Sequence, residues 1–135
     1  MSRLHLLVLA IFALSLTVAP PAWAAGGRTQ LNMFFQADLT DASYQKKFFD
    51  KVAKNHRPPE AKHAPKPGQR TVVQITVGKD GQILGAVVTT ESGSKAWDEA
   101  ALAAVKKAAP FEKFPAGFTG AALDVHFHVW WEPKP

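Results

Sequence analysis

The sequence predicts an α+β fold of two layers: a three-stranded antiparallel or mixed sheet, strand order 2-1-3, with two helices on one face. Three observations carry this. Thr71 to Val77 and Ala121 to Trp131 alternate apolar and polar residues with the period of a half-buried strand. Asp80-Gly81 separates the first of these runs from a second apolar run, Gln82 to Thr90, as a hairpin turn does. Two segments, Ala42 to Asn55 and Lys95 to Ala108, instead repeat their apolar residues at helical spacing.

In chain order, Met1-Ser2-Arg3 is a short positive start, Leu4 to Ala19 is apolar, Pro20-Pro21 ends the run, and Ala22-Trp23-Ala24 has the small-x-small form of a cleavage site. This is the three-part pattern of a secretory signal peptide, 1–24. Its apolar run of about 16 residues falls short of the roughly 20 that span a bilayer. Cleavage after Ala24 would place the remainder outside the cytoplasm; without cleavage the segment would be a membrane anchor. His5 lies in this segment and is given no role.

Residues 25–69 are expected to be a lead-in, a packing helix and a basic linker. Leu31, Met33, Phe35, Ala37 and Leu39 alternate, which suits either a short strand or an extended apolar arm lying on the domain. Thr40-Asp41 offers an N-cap oxygen, and Tyr44, Phe48 and Val52 form the apolar stripe of the first helix. Arg57-Pro58-Pro59 stops that helix, since proline lacks the N–H and disfavours helix in the residue before it.

Residues 70–135 hold the main unit. Val73, Ile75 and Val77 share one side of the first strand. Gly85, inside the second strand, suggests a bulge or a close helix approach. Ser92-Gly93-Ser94 opens the second helix, with Asp98 and Glu99 near its start and Lys106 and Lys107 near its end, as the helix dipole favours. Trp97, Ala101, Val105 and Ala108 form its stripe, and the alanines let its axis lie close to the sheet. Pro110 ends it. Phe111, Phe114 and Phe118 are expected to plug the end of the core, the other option being an exposed aromatic patch. On the third strand Leu123, Val125, Phe127, Val129 and Trp131 face one side, and Asp124, His126, His128 and Trp130 the other. A helical crossover from the second strand to the third places the first strand in the centre and leaves the third as an edge.

Composition narrows the function. There are no cysteines among 135 residues, which excludes disulfides, thiolate metal sites, thiol catalysis and a lipidated cysteine anchor. The net charge of +5 is concentrated in Lys46, Lys47, Lys51, Lys54, Arg57, Lys62, Lys66 and Arg70, opposed there only by Asp50 and Glu60. Such a stretch is a solvated face or an attraction to an anionic surface; the export signal argues against nucleic acid. Ser92, Ser94, Asp98 and Glu99 sit where a turn, a cap and a helix dipole require them, so no catalytic site is expected. Asp124, His126 and His128 share a strand face that could present a metal with ligands, but the ordinary alternation of polar residues on an exposed face accounts for them better, and no metal or other cofactor is expected.

Several of these motifs occur together in one family. Thr71 to Val77, Asp80-Gly81, Ser92-Gly93, the helix Trp97-Asp98-Glu99-Ala100-Ala101-Leu102-Ala103-Ala104-Val105, and then Pro110-Phe111 and Phe114-Pro115 resemble the C-terminal domain shared by TonB and TolA. Arg57-Pro58-Pro59 after an amphipathic helix is similar to that family's lead-in. The resemblance implies a non-enzymatic periplasmic module that binds a protein partner by adding its segment to a sheet edge, linked to outer-membrane transport or envelope integrity. Its partner would be an outer-membrane receptor or a Tol/Pal-type envelope protein. Carried onto this sequence, the binding edge is Asp124, Val125, His126, Phe127, His128, Val129 and Trp130. The energy transducers of the family carry a membrane helix and a long Pro-rich spacer; here the spacer is at most about a dozen residues, too short to reach across a periplasm from an anchor. A stand-alone binding module is therefore expected, with a homodimer through the third strand, or an anchored transducer, as the alternatives.

Overall fold

A computed structural model describes residues 21–135. The expected signal segment lies almost entirely outside these residues; of it, only 21–24 are described. Among the described residues no helix is long and apolar enough to cross a membrane.

The element order is β1 (Arg28–Phe35), α1 (Ala42–Asn55), β2 (Arg70–Gly78), β3 (Ile83–Thr90), α2 (Lys95–Ala108) and β4 (Ala122–Glu132). The strands form one antiparallel sheet in the order β1-β4-β2-β3. Both helices cover the same face. The expected three-strand order survives inside this sheet, with β2 between β3 and β4. The correction is a fourth strand. The alternating Leu31, Met33 and Phe35 belong to β1, which pairs with β4 from Arg28↔Glu132 to Phe35↔Val125. The physical reason is the phase of the alternation: in this register Leu31, Met33 and Phe35 all turn to the helix side, where Met33 is buried and Phe35 meets Phe48 edge to face at 5.5 Å. A loose arm would leave that apolar area and the β4 backbone in water.

The helices begin where their caps place them. Asp41 accepts from the Tyr44 N–H at 2.8 Å, and Ser94 from the Trp97 N–H at 3.3 Å. Tyr44, Phe48 and Val52 of α1 are buried, as are Trp97, Ala101, Ala104, Val105 and Ala108 of α2. They close over Val73, Ile75, Val77, Leu123, Val125, Phe127 and Val129, all fully buried. The loop after α2 is a plug, not an exposed patch. Phe111 stacks on Phe48 at 3.8 Å between centroids with planes 5° apart, and Phe118 is buried against Phe114.

The hairpin between β2 and β3 turns at Gly81, whose φ of +85° is costly for any residue with a Cβ. Its carbonyl accepts the Phe111 N–H at 2.9 Å, and an added Cβ would lie 1.9 Å from the Phe111 carbonyl oxygen. The turn and the aromatic plug are thus locked together. Of the two options at Gly85, a bulge is found, one residue before it: Gly85 pairs with Thr76, and the β2–β3 register then shifts to Val77↔Ile83, passing over Leu84, and shifts again between Val72 and Val73.

The Pro58–Gly68 segment holds a short turn of helix at Ala61–His63, with Ala64 buried behind it. The Ser94 hydroxyl donates to the His63 carbonyl at 2.6 Å, tying this segment to the start of α2.

Candidate functional site

The helices leave one face of the sheet uncovered. In β4 the pleat sends Val125, Phe127 and Val129 into the core, and Asp124, His126, His128 and Trp130 onto the bare face. The expected binding segment is therefore divided. Three of its seven side chains are fully buried, and four face away from the helices.

The expectation of an open edge at β4 is corrected. Its backbone pairs with β2 on one side and β1 on the other, so Asp124 to Trp130 belong to an inner strand. Among the described residues the sheet's edges are β1 and β3. Nothing in the alternation of 121–131 distinguishes an edge from an inner strand, because side-chain period reports faces and not neighbours.

The bare face carries an aromatic and cationic group that the sequence did not announce. Phe34, half exposed at 52%, meets the His128 ring edge to face at 4.8 Å. Arg70 lies over the Trp130 ring at 5.2 Å, with its guanidinium 3.4 Å from His128 Nδ1. The cross-strand register explains both contacts: Asn32↔His128 puts Phe34 one diagonal away, and Arg70↔Trp130 are direct partners. Toward the other end Asp124 accepts from Thr76 Oγ1 at 3.0 Å. Among the described residues no group of three or more His, Cys, Asp or Glu could hold a metal.

The four residues considered for catalysis are joined structurally. Asp98 Oδ1 accepts from Thr71 Oγ1 at 2.6 Å, from Ser92 Oγ at 2.8 Å and from the Ser92 N–H at 3.1 Å. Thr71 and Ser92 are buried. The carboxylate thus ties α2 to β2 and to the turn after β3. Ser94 caps α2, and Glu99 lies within reach of Lys95 at 3.7 Å.

Much of the basic stretch is engaged within the chain. Lys46 pairs with Asp50 at 2.6 Å, Lys47 with Glu112 at 3.6 Å and Lys62 with Glu60 at 3.4 Å, while Lys51 donates to the Pro110 carbonyl. The first three pairs are exposed and contribute little to stability.

Two histidines have lowered pKa values. Burial, then the Arg57 charge, pushes His56 below its ordinary 6.5; its ring packs toward Phe127, and its Nε2 has no partner among the described residues. Burial, then Arg70 and His126, lowers His128. A histidine whose folded pKa is lowered is neutral in the fold while the unfolded chain already takes up protons, so its stability contribution is complete above the unfolded value. It is lost as pH falls from about 6.5 through the folded value. The melting temperature is accordingly expected to be flat above pH 7 and to fall toward pH 5. His56→Leu with His128→Gln should flatten that slope; an unchanged slope in the double variant would refute this assignment.

Neither curated proteins nor solved structures yield a significant match to this chain. A family profile does: the TonB C-terminal profile matches residues 41–127, from the cap of α1 into β4 and therefore beginning after β1. With nearly two-thirds of the chain matched, from Asp41 to Phe127, the chain belongs to the TonB C-terminal family, whose domains are periplasmic protein-interaction modules.

Proposed function

We propose that this chain is a non-enzymatic periplasmic binding module, exported by a cleaved signal peptide, that takes up an extended segment of an envelope protein at the edge of its sheet. The outward side chains of β4 beside that edge, Asp124, His126, His128 and Trp130, contact the rest of the partner. Val125, Phe127 and Val129 support them from the core. The observation that carries this reading is the one-sided sheet: both helices lie on one face, and the other presents Phe34, His128, Trp130 and Arg70 to solvent. Strand addition suits such a platform, since main-chain hydrogen bonds supply affinity and alternate side chains supply specificity. The family context makes an outer-membrane receptor or a Tol/Pal-type envelope protein the natural partner, in transport or envelope integrity.

The reading is tested by complementation. In a strain lacking the chain, growth on a receptor-imported iron chelate and resistance to detergent are scored after return of wild type or of His126→Glu/Trp130→Glu. Both positions are on the bare face, so the double variant is expected to melt within a few degrees of wild type. It should fail to restore whichever trait is lost. Full restoration by a folded double variant would contradict the proposal.

A further inference from the structure

The small-x-small motif Ala22-Trp23-Ala24 is part of the fold. Its residues form a single turn of 3₁₀ helix. The Ala24 N–H donates to the Pro21 carbonyl at 2.9 Å, and the Ala25 N–H to the Ala22 carbonyl at 3.3 Å. The Ala24 carbonyl accepts the Gly27 N–H at 3.3 Å, just ahead of β1. Ala24 is 1% exposed and belongs to the hydrophobic core, and Trp23 packs against that core. In a cleavage motif the middle position is free, so packing is what accounts for a tryptophan there.

This arrangement is incompatible with cutting. A peptidase that reads small residues two apart must hold the segment extended, because in a strand residues i and i+2 share a face. In a 3₁₀ turn, with three residues per turn, they point apart. Ala22 is exposed while Ala24 is buried. The Ala24 methyl group cannot fill the domain core and a peptidase pocket at once. Hydrolysis breaks the Ala24–Ala25 peptide bond; water gives its oxygen to the new Ala24 carboxylate and both protons to the Ala25 nitrogen, which becomes an ammonium. For that to happen the turn must first leave the core.

We propose that folding of the domain closes its own cleavage site. A chain cut before Trp23 and Ala24 seat is released as the free module. A chain that folds first keeps the apolar run Leu4 to Ala19 and stays held at the membrane. The order of cutting and folding therefore divides the module between free and tethered forms. This goes beyond the binding role and holds whichever partner the sheet meets.

The test uses the full chain, made with the cell's signal peptidase inhibited and extracted in mild detergent, with its fold verified by a cooperative melt. A synthetic peptide of residues 12–32 supplies the same motif without the domain. Both are incubated with purified signal peptidase, and products are read by mass spectrometry. The peptide is expected to be cut after Ala24. The folded chain should be cut at least about tenfold more slowly, since cutting must wait for local opening. Trp23→Ser keeps the small-x-small spacing and removes the packing. It should bring the folded chain to within a few-fold of the peptide's rate and lower its melting temperature by a few degrees. Equal rates for the folded chain and the peptide would overturn the proposal. So would a Trp23→Ser chain that resists as wild type does. An uncut peptide would overturn it too, because the motif would then be no cleavage site. None of these outcomes bears on the complementation test above, which reads the sheet face alone.

Discussion

Trp97→Ala is expected to be the most damaging single substitution in the domain. The Trp97 side chain is fully buried, meets Trp131 edge to face at 6.1 Å, and donates its indole N–H to the Val129 carbonyl at 3.4 Å. It joins α2 to the end of β4 at the point where β1 also pairs. Truncation removes a large apolar surface and leaves a cavity the helix cannot close, costing about 3–5 kcal/mol. A domain of this size has about 5–15 kcal/mol in total, so the variant should melt more than about 10 °C below wild type. Trp97→Phe should lose markedly less. Thermal unfolding followed by circular dichroism decides it; an Ala variant melting within a few degrees of wild type would show that α2 does not depend on this anchor.

Asp98→Ala should follow. One carboxylate oxygen takes three donors, from Thr71 and Ser92. Removing it leaves a buried threonine hydroxyl and a buried serine N–H without partners. Hydrogen bonds to a charged acceptor contribute more than neutral ones, and unpaired buried donors add their desolvation cost, so a loss of about 2–3 kcal/mol is expected. Asp98→Asn keeps the accepting oxygen and should recover part of it. Urea denaturation of the three proteins measures the difference. Because β2 is the central partner of β3 and β4, amide exchange should rise around Thr71 and Ser92 first. Equal stability of Asp98→Ala and wild type would return Asp98 to the helix-dipole role its position suggests.

That contrast marks the limit of what the sequence discloses. Both helices are legible to the residue, because a cap and an apolar stripe at period 3.6 are local facts. The D-G turn, the bulge beside Gly85 and the aromatic plug are also local, and each is found at or next to the residues that imply it. The fourth strand is visible only as the alternation from Leu31 to Leu39 that an arm would share; what makes it a strand is the neighbouring β4 backbone, nearly a hundred residues away. The same long-range pairing turns Asp124 to Trp130 from an edge into an inner strand. The Phe34–His128 and Arg70–Trp130 contacts, and the Thr71–Asp98–Ser92 linkage, likewise depend on register between distant segments. Periodicity gives the face of each residue, which is why it sets His126, His128 and Trp130 opposite Phe127 and Val129, as in the fold. It does not give the strand beside it.

The central claim is that partners meet the sheet side of this module and not its helices. Photo-crosslinking in intact cells tests it most directly, with the reactive residue placed in turn at His126, at His128 and, on the exposed side of α2, at Lys106. The account predicts adducts from the two sheet positions, containing an envelope protein, and none from Lys106. Adducts from Lys106 alone would contradict it.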